Sequence, residues 1–377
     1  MSSKRVGVDI GSTAVRVVQV DGLNEDSLAK VSKCAVIPLA PGAVINGRIK
    51  DTKLVGFTLA KALKAAGVSA YGVVVGTSTP EAAIAPIKLP EAVKPGDFSN
   101  AVRLQGKPIS PRVPLDSSAL SLFEVGKDYD LGARFLLAAA TDASEVANLA
   151  EAVRAAKAAP RAIDLAGAAT MRALTRTIPN TSDVVTIVDI GSTKTTVITR
   201  QGQFLRSVRT LEIGGDDVTR ALMGAADENY AISERRKRSL DLRSLPSSTT
   251  SEVAQTSYGV MDSTSVQVTS KELDRLLEAL HFSADQLIES IATVIESETV
   301  RYPAAPTQGI VLAGGGALLR GLKESISART GVPTLLGRPW AVFTSQKAAK
   351  QVLSQMDEPT AMVELTTAIG MALWGSK

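Results

Sequence analysis

The sequence predicts an α/β protein of two related halves, with a smaller α/β subdomain inserted into the first. The stretch Val6-Gly7-Val8-Asp9-Ile10-Gly11-Ser12-Thr13 returns near the middle as Ile187-Val188-Asp189-Ile190-Gly191-Ser192-Thr193, and the two share Asp-Ile-Gly-Ser-Thr. Each copy is a β-branched run ending in Asp, a Gly-Ser-Thr turn, and a second β-rich run (Val15 to Val20; Thr195 to Thr199), the pattern of a tight hairpin. Their recurrence marks an internal repeat of supersecondary units. From about Glu81 to Arg161 the character changes around a Pro-rich middle, which marks the insertion.

Length and composition bound the reading. A chain of 377 residues is long enough for two or more cores, and 45% hydrophobic with 21% charged residues is a globular balance. One cysteine, Cys34, and one histidine, His281, exclude an internal disulfide and a Cys/His zinc site, and they fit a reducing cytoplasm. The start enters a strand without an apolar leader, and no uncharged run of 18 residues exists, so a soluble, unexported chain is expected. A net charge of +4 permits an acidic partner. The basic run Arg235-Arg236-Lys237-Arg238 has no nucleic-acid motif around it and reads as a solvated helix face, so no nucleic acid is expected.

Along the first half, Leu28 to Ile37 reads as a third strand and Thr52 to Ala66 as a helix. Val55, Leu59, Ala62 and Leu63 share one face of that helix, and Gly67 stops it. Tyr71 to Val75 reads as a buried strand. In the insertion, Ala83 to Leu89 and Arg134 to Ala140 are strand-like, and Pro-containing strands belong at edges, where a peptide can add by strand pairing. Asp142 with Glu145 signals the start of an Ala-rich helix to about Ala158. Asp164 opens a further helix to about Thr177 through Ala166, Gly167 and Ala168, whose small side chains permit close helix approach; a plain Asp cap is the simpler account of Asp164.

The second half begins with strand Val184 to Asp189, followed by a strand from Phe204 to Thr210 and a helix from Gly214-Gly215-Asp216. Glu234 and Lys237, three apart, share a face of the next helical piece. Ser244 to Ser257 reads as a mobile surface loop, and Lys271 to about Ser297 as one long amphipathic helix or two shorter ones. Gly309 to Ala313 is a strand running into Gly314-Gly315-Gly316 and a helix from Ala317 to Thr330, so a ligand could sit at that helix N-terminus. Ala361 to Trp374 is an apolar helix, small on one side at Ala368, Gly370 and Ala372.

The turns carry the chemistry. Glycine lets a ligand approach the backbone closely, and successive amides in such a turn form an anion-binding concavity, with phosphate the obvious guest. An Asp beside bound phosphate makes most sense holding Mg²⁺ through its waters, which assigns Asp9 and Asp189 to the metal. Gly11, Ser12, Thr13 and Arg16 from the first hairpin, and Gly191, Ser192, Thr193 and Lys194 from the second, are the candidate phosphate holders.

Taken in order, these pieces resemble the actin-like ATPase superfamily. Asp9-Gly11-Ser12-Thr13 matches its first phosphate motif and Asp164 with the following Ala/Gly helix its first connecting motif. Asp189-Gly191-Ser192-Thr193 matches the second phosphate motif, Gly314-Gly315-Gly316 the adenosine motif, and Ala368-Gly370-Ala372 the second connecting helix. The resemblance implies two like domains, each a five-stranded mixed sheet with helices, around a cleft that holds ATP and Mg²⁺. On that pattern the boundaries fall at 1–80 (first half of domain I), 81–161 (insertion), 162–182 (connecting helix), 183–345 (domain II, with a helical part about 215–300) and 346–377 (return to domain I). Two departures from actin stand out: Arg16 replaces a Lys, and Ser192 replaces an Asp in the second turn.

Within the superfamily the chain is most similar to the PilM family of type IV pilus assembly proteins, with FtsA second. The insertion lies where these families carry theirs, Ile84 to Pro90 and Phe135 to Ala140 look like its strands, and Glu234 and Lys237 look like the pair that contacts base and ribose. FtsA ends in a membrane helix, whereas three residues follow Trp374 here. The resemblance implies a cytoplasmic ATP-binding adaptor at the inner face of the cell membrane. It would bind the N-terminal cytoplasmic peptide of a PilN-like protein in a groove between the first domain and the insertion, and so reach the assembly motor ATPases. Membrane contact is then indirect. Asp164 would position a water or Mg²⁺, and turnover would be slow for want of a strong general base. The alternatives are an FtsA-like division protein and a small-molecule kinase of the hexokinase type.

Overall fold

The computed structural model describes residues 4–21, 28–106, 109, 112–128, 131–175, 177–178, 183–202, 204–246, 269–354 and 356–375. The first hairpin pairs β1 (Arg5–Ile10) with β2 (Ala14–Asp21), Val8 opposite Val17. β2 reads as a nearly continuous valine run because both its faces are covered: Val15 and Val17 join one core cluster, Val18 and Val20 another. β3 (Ala29–Pro38) follows, then the short hairpin β4 (Val44–Ile45) and β5 (Arg48–Ile49). α1 (Thr52–Ala66) starts where the Asp51 side chain accepts from the Leu54 amide and stops at Gly67, whose φ of 64° is left-handed. β6 (Tyr71–Thr77) lies parallel to β1.

The insertion holds more structure than its prolines suggest. Between β7 (Ala83–Pro90) and the hairpin of β8 (Ser118–Asp128) with β9 (Ala133–Asp142) lies α2 (Phe98–Leu104). Phe98, Val102 and Leu115 meet Ile87, Leu89, Leu136 and Ala138 in a small core of their own. The insertion also ends earlier than position 161. α3 (Ala143–Ala155) packs Leu149, Ala152 and Val153 into the first half's core beside Val55 and Leu59, and β10 (Ala159–Leu165) lies parallel to β6. Periodicity shows that α3 has an apolar stripe but not which neighbour the stripe meets. Asp164 accordingly sits in β10, and α4 (Ala166–Leu174) begins two residues later.

The second half repeats the first: β11 (Val184–Ile190), β12 (Thr195–Gln201) and β13 (Phe204–Leu211), then α5 (Gly215–Ala226), α6 (Tyr230–Ser239) and α7 (Ser270–Arg301). α7 is one helix, and Leu276, Leu277, Leu280, Leu287, Ile288 and Ile291 bury its stripe. The expected loop from Ser244 to Ser257 lies outside the described residues beyond position 246. β14 (Thr307–Ala313) precedes the triple glycine, which opens a 3-10 turn at Gly315–Leu318 rather than the predicted helix; α8 (Leu322–Thr330) starts only after Gly321. β15 (Thr334–Leu336) closes this half. β16 (Ala341–Phe343), α9 (Gln346–Leu353) and α10 (Glu358–Ala372) return to the first.

The sheet orders are β10-β6-β1-β2-β3-β16 and β15-β14-β11-β12-β13-β7-β9-β8. In both, a central strand (β1, β11) has two antiparallel neighbours in sequence on one side and two parallel strands on the other, so each half contains the same five-stranded mixed block. The second sheet runs on into the insertion through the pairing of Val208 with Ile84.

α4 and α10 cross between the two sheets with backbones touching: a Cβ at Gly370 would lie 1.8 Å from the Ala169 carbonyl oxygen, and one at Gly7 2.1 Å from that of Ala368. Gly370→Ala should therefore cost about 1–3 kcal/mol of stability, the range for overpacking. Thermal unfolding checks this against Gly224→Ala, exposed in α5 with open space around it, which should be neutral or mildly stabilising.

Candidate functional site

Both hairpin turns are built alike. Gly11 N donates to the Ala14 carbonyl at 3.0 Å, and Gly191 N donates to the Lys194 carbonyl at 2.9 Å. Neither glycine has a positive φ; what each supplies is space, since a Cβ at Gly11 would sit 3.0 Å from an Arg16 nitrogen and one at Gly191 3.0 Å from the Lys194 oxygen. The turns face each other across the halves, with the Ser12 and Thr193 hydroxyls 2.7 Å apart. Ser192 Oγ and Arg16 Nε are buried without a hydrogen-bond partner. Such groups are costly unless something satisfies them, and an oxyanion seated between the turns would.

Parallel pairing brings the other candidates to the same ends of the sheets. Because Asp189 pairs with Ala313, the triple glycine emerges beside the second turn. Gly314 has φ 79°, and a Cβ there would meet Asp189 Oδ1 at 2.4 Å; one at Gly316 would meet Ile190 Cγ2 at 2.3 Å. Only glycine fits there. α5 closes on the same turn, Gly215 N donating to the Gly191 carbonyl at 2.9 Å and Asp216 N to that of Ser192 at 2.7 Å. Lys237 Nζ then donates to the Gly215 carbonyl (3.0 Å), Thr219 Oγ1 (2.8 Å) and Glu234 Oε2 (2.6 Å). Lys237, Gly191 and Gly316 therefore meet around Gly215, where a Cβ would be 3.3 Å from Lys237 Nζ, 3.6 Å from the Gly191 oxygen and 3.9 Å from Gly316 Cα, with Glu234 held by Lys237.

Charge is concentrated between the turns. Arg16 lies 3.6 Å from Asp9 and 3.6 Å from Glu364 of α10. Asp189 is half-buried at the end of β11, and burial, then the nearby Asp9 charge, push its carboxyl up, opposed by hydrogen bonds from Thr170 and Thr367. Lys194 crosses from the second half to the first, donating to the Ser78 carbonyl at 2.6 Å and to its hydroxyl. Burial pushes its amine down to about 8, against the pull of Asp9 and Asp189.

Asp164 pairs with Gly76 of β6, while Val75 pairs with Val8 of β1, so Asp164 stands at the same end of the first sheet as Asp9. One Asp164 oxygen accepts from the Leu165 amide at 2.8 Å and the other from Arg172 at 2.8 Å, while Arg172 also donates to the Gly370 carbonyl at 2.6 Å. Those bonds tie β10, α4 and α10 together. The basic run is largely paired: Arg236 bonds Glu228, and Lys237 turns inward. Sequence reading missed Thr170, Thr367, Glu364, Ser78 and Gly215. The two threonines and Glu364 had a signal, polar residues inside otherwise small or apolar helices; Ser78 had none. A separate cavity of about 650 Å³, lined by Lys33, Cys34, Lys347 and Lys350, contains none of the predicted residues.

Duplicated mixed sheets, two crossing helices and facing glycine turns define an actin-like fold. A family model described as type IV pilus assembly protein PilM matches residues 7–263, and one described as cell division protein FtsA matches residues 186–370. The chain belongs to the type IV pilus assembly protein PilM family. It is similar to the solved PilM-PilN type IV pilus biogenesis complex, at 21% identity and TM-score 0.76 over 100% of this chain and 99% of that one. It is also similar to the ethanolamine utilization protein EutJ from Carboxydothermus hydrogenoformans, at 13% identity and TM-score 0.52 over 99% and 90% of the two chains. A third likeness is to the MamK double helical filament, at 16% identity and TM-score 0.50 over 95% and 97%. No described helix is long and apolar enough to cross a membrane.

Lys194 yields a pH signature. Its amine falls from 10.5 to about 8 on folding, so between those values the unfolded chain binds more protons and stability from this residue rises with pH; below about 8 both states are protonated and the slope vanishes. The melting temperature of the parent minus that of Lys194→Met should climb between about pH 8 and 10.5 and be flat from pH 6 to 7.5, as read by calorimetry.

Proposed function

We propose that this chain is an ATP-binding adaptor of a type IV pilus assembly platform. The observation that carries the reading is the pair of facing turns, bonded through Ser12 and Thr193, with the buried Ser192 hydroxyl left over for a ligand oxygen. Gly11, Ser12, Thr13, Arg16, Gly191, Ser192, Thr193 and Lys194 border the phosphate position. Glu234, Lys237 and the triple glycine from Gly314 to Gly316 border the adenosine position. Asp9 and Asp189 would hold a magnesium ion through its waters; that ion supplies charge neutralisation between carboxylates and phosphates. Arg16 stands in the first hairpin as a fixed cation, held by Asp9 and Glu364. Asp164, whose oxygens accept from Leu165 and Arg172, keeps α4 in place and in this reading has acceptor capacity left to position a water or the magnesium ion. Any hydrolysis is expected to be slow in this reading, because no strong general base beside the γ-phosphate can be named.

The partner reading rests on family membership and on the insertion. A structural relative is a PilM-PilN complex, and β8, the last strand of the second sheet, exposes Phe123 and Val125 beside an unpaired edge. We assign the N-terminal cytoplasmic peptide of a PilN-like membrane protein to the insertion and the adjoining first half, with assembly motor ATPases reached through that platform. The chain then works in the cytoplasm, at the inner face of the membrane, through its partners.

Mg-ATP at 100 times its dissociation constant should stabilise the protein by about 2.7 kcal/mol. Asp9→Ala should lose that shift, and an unchanged shift in this variant refutes the site. A synthetic PilN-like N-terminal peptide should bind in fluorescence anisotropy and lose about tenfold in affinity on Phe123→Glu, the cost of a typical interface anchor.

A further inference from the structure

The polar contacts at the crossing of the two connecting helices are not accounted for by packing. Thr170 on α4 is fully buried and Thr367 on α10 nearly so, and they come from segments 197 residues apart. Their hydroxyls are 2.8 Å from each other and lie 3.0 Å and 3.1 Å from the same atom, Asp189 Oδ2. Three oxygens thus form a closed triangle that holds two hydroxyl protons. A proton cannot serve two edges, and both hydroxyls cannot donate along the one edge they share. At least one proton therefore always falls on Oδ2. The other carboxylate oxygen, Oδ1, lies against Gly314, where a Cβ would be 2.4 Å from it. The carboxylate is thereby fixed in rotation, one oxygen toward the helix crossing and the other toward the triple glycine and the turns.

We infer that Thr170 and Thr367 are positioning residues that aim Asp189 at the divalent cation of the nucleotide site, and that they do so redundantly. The inference rests on the reading of the site given above. Groups that orient a metal's carboxylate through hydrogen bonds are worth about 10–100-fold in metal affinity. Redundancy follows from the proton count. Removing one hydroxyl takes away the competing acceptor of the other, whose proton then goes wholly to Oδ2. Removing both leaves the carboxylate free to turn. Because one hydroxyl comes from each connecting helix, the aim of Asp189 also depends on the two helices keeping their crossing.

The test is a magnesium titration at fixed ATP, read as the thermal shift of the full chain, on the parent, Thr170→Val, Thr367→Val, the double Val variant and the double Ser variant. The magnesium concentration giving half the maximal shift should stay within about twofold of the parent in each single variant, rise about tenfold or more in the double Val variant, and return in the double Ser variant. The shift given by ATP with EDTA should be the same throughout, which a general loosening of the helices would not leave intact. If the double Val variant melts before it can be titrated, Thr170→Ala with Thr367→Ala, which leaves room for water beside Oδ2, carries the same expectation. A parental magnesium requirement in whichever double variant folds overturns the proposal while leaving the site standing. A parent whose melting does not respond to Mg-ATP overturns both.

Discussion

Ala169 and Gly370 meet backbone to backbone, and the placing of the two halves depends on that contact. α4 leaves the first sheet through β10 and leans on the second, where a Cβ at Gly167 would come within 3.1 Å of Val208 and 3.4 Å of Ile198. α10 lies along β1, so close that Gly7 has no room for a side chain. The two helices lie between the sheets along this line. Their separation sets how near the hairpin turns come, and at this separation Ser12 reaches Thr193. A larger residue at the crossing would separate the turns as well as strain the helices.

The same crossing explains how a half-buried carboxylate beside a second acid is tolerated. An enclosed charge costs several kcal/mol unless it is paired or hydrogen-bonded. Asp189 takes its hydrogen bonds from the helix layer and lies within the field of Lys194. Lys194 in turn reaches Ser78 of the first half, so the cation of one half is satisfied by backbone and hydroxyl of the other. Arg16 is shared between Asp9 and Glu364. The acids are carried by β1, β11 and α10 and the bases by β2 and the second turn, so the charges of the cleft compensate one another only when both halves and the returning helix are in place.

How much of this was legible depends on whether the signal was local. The duplicated hairpins, α1 with its end at Gly67, and the stripe of α7 are properties of short windows, and they stand where periodicity and helix-stop signals place them. The partner of a stripe is not local: the Ala-rich α3 looked like part of the insertion, yet it belongs with α1 in the first half's core. β10 was hidden because Pro160 and the polar residues around it break the strand pattern; its pairing with β6 shifts register there. The triple glycine reads as leading straight into a helix, but the chain needs a 3-10 turn and a left-handed Gly321 before α8 can begin. In the site, strand ends and glycines were visible. The threonines stand out in the sequence only as polar residues in small or apolar helices, and a hydroxyl there gains a role only from what lies opposite it.

Glu212 shows how the insertion is bound to both halves. It directly follows β13, and its carboxylate meets Arg112 of the insertion at 2.6 Å and Asn46 of the first half at 2.8 Å, while Arg112, Arg48 and Asn46 hold it well ionised. The next residue, Ile213, accepts from Thr195 at 2.8 Å, and the two after it pack on the second turn, where a Cβ at Gly214 would be 2.5 Å from the Ser192 oxygen. One residue, Ile213, therefore lies between Glu212, where insertion, first half and second half meet, and the glycines that pack on the turn. Packing this tight leaves no slack for a displaced turn to be absorbed in place. A movement of the second turn must be taken up at Glu212, either by breaking its contacts or by carrying the insertion along with it.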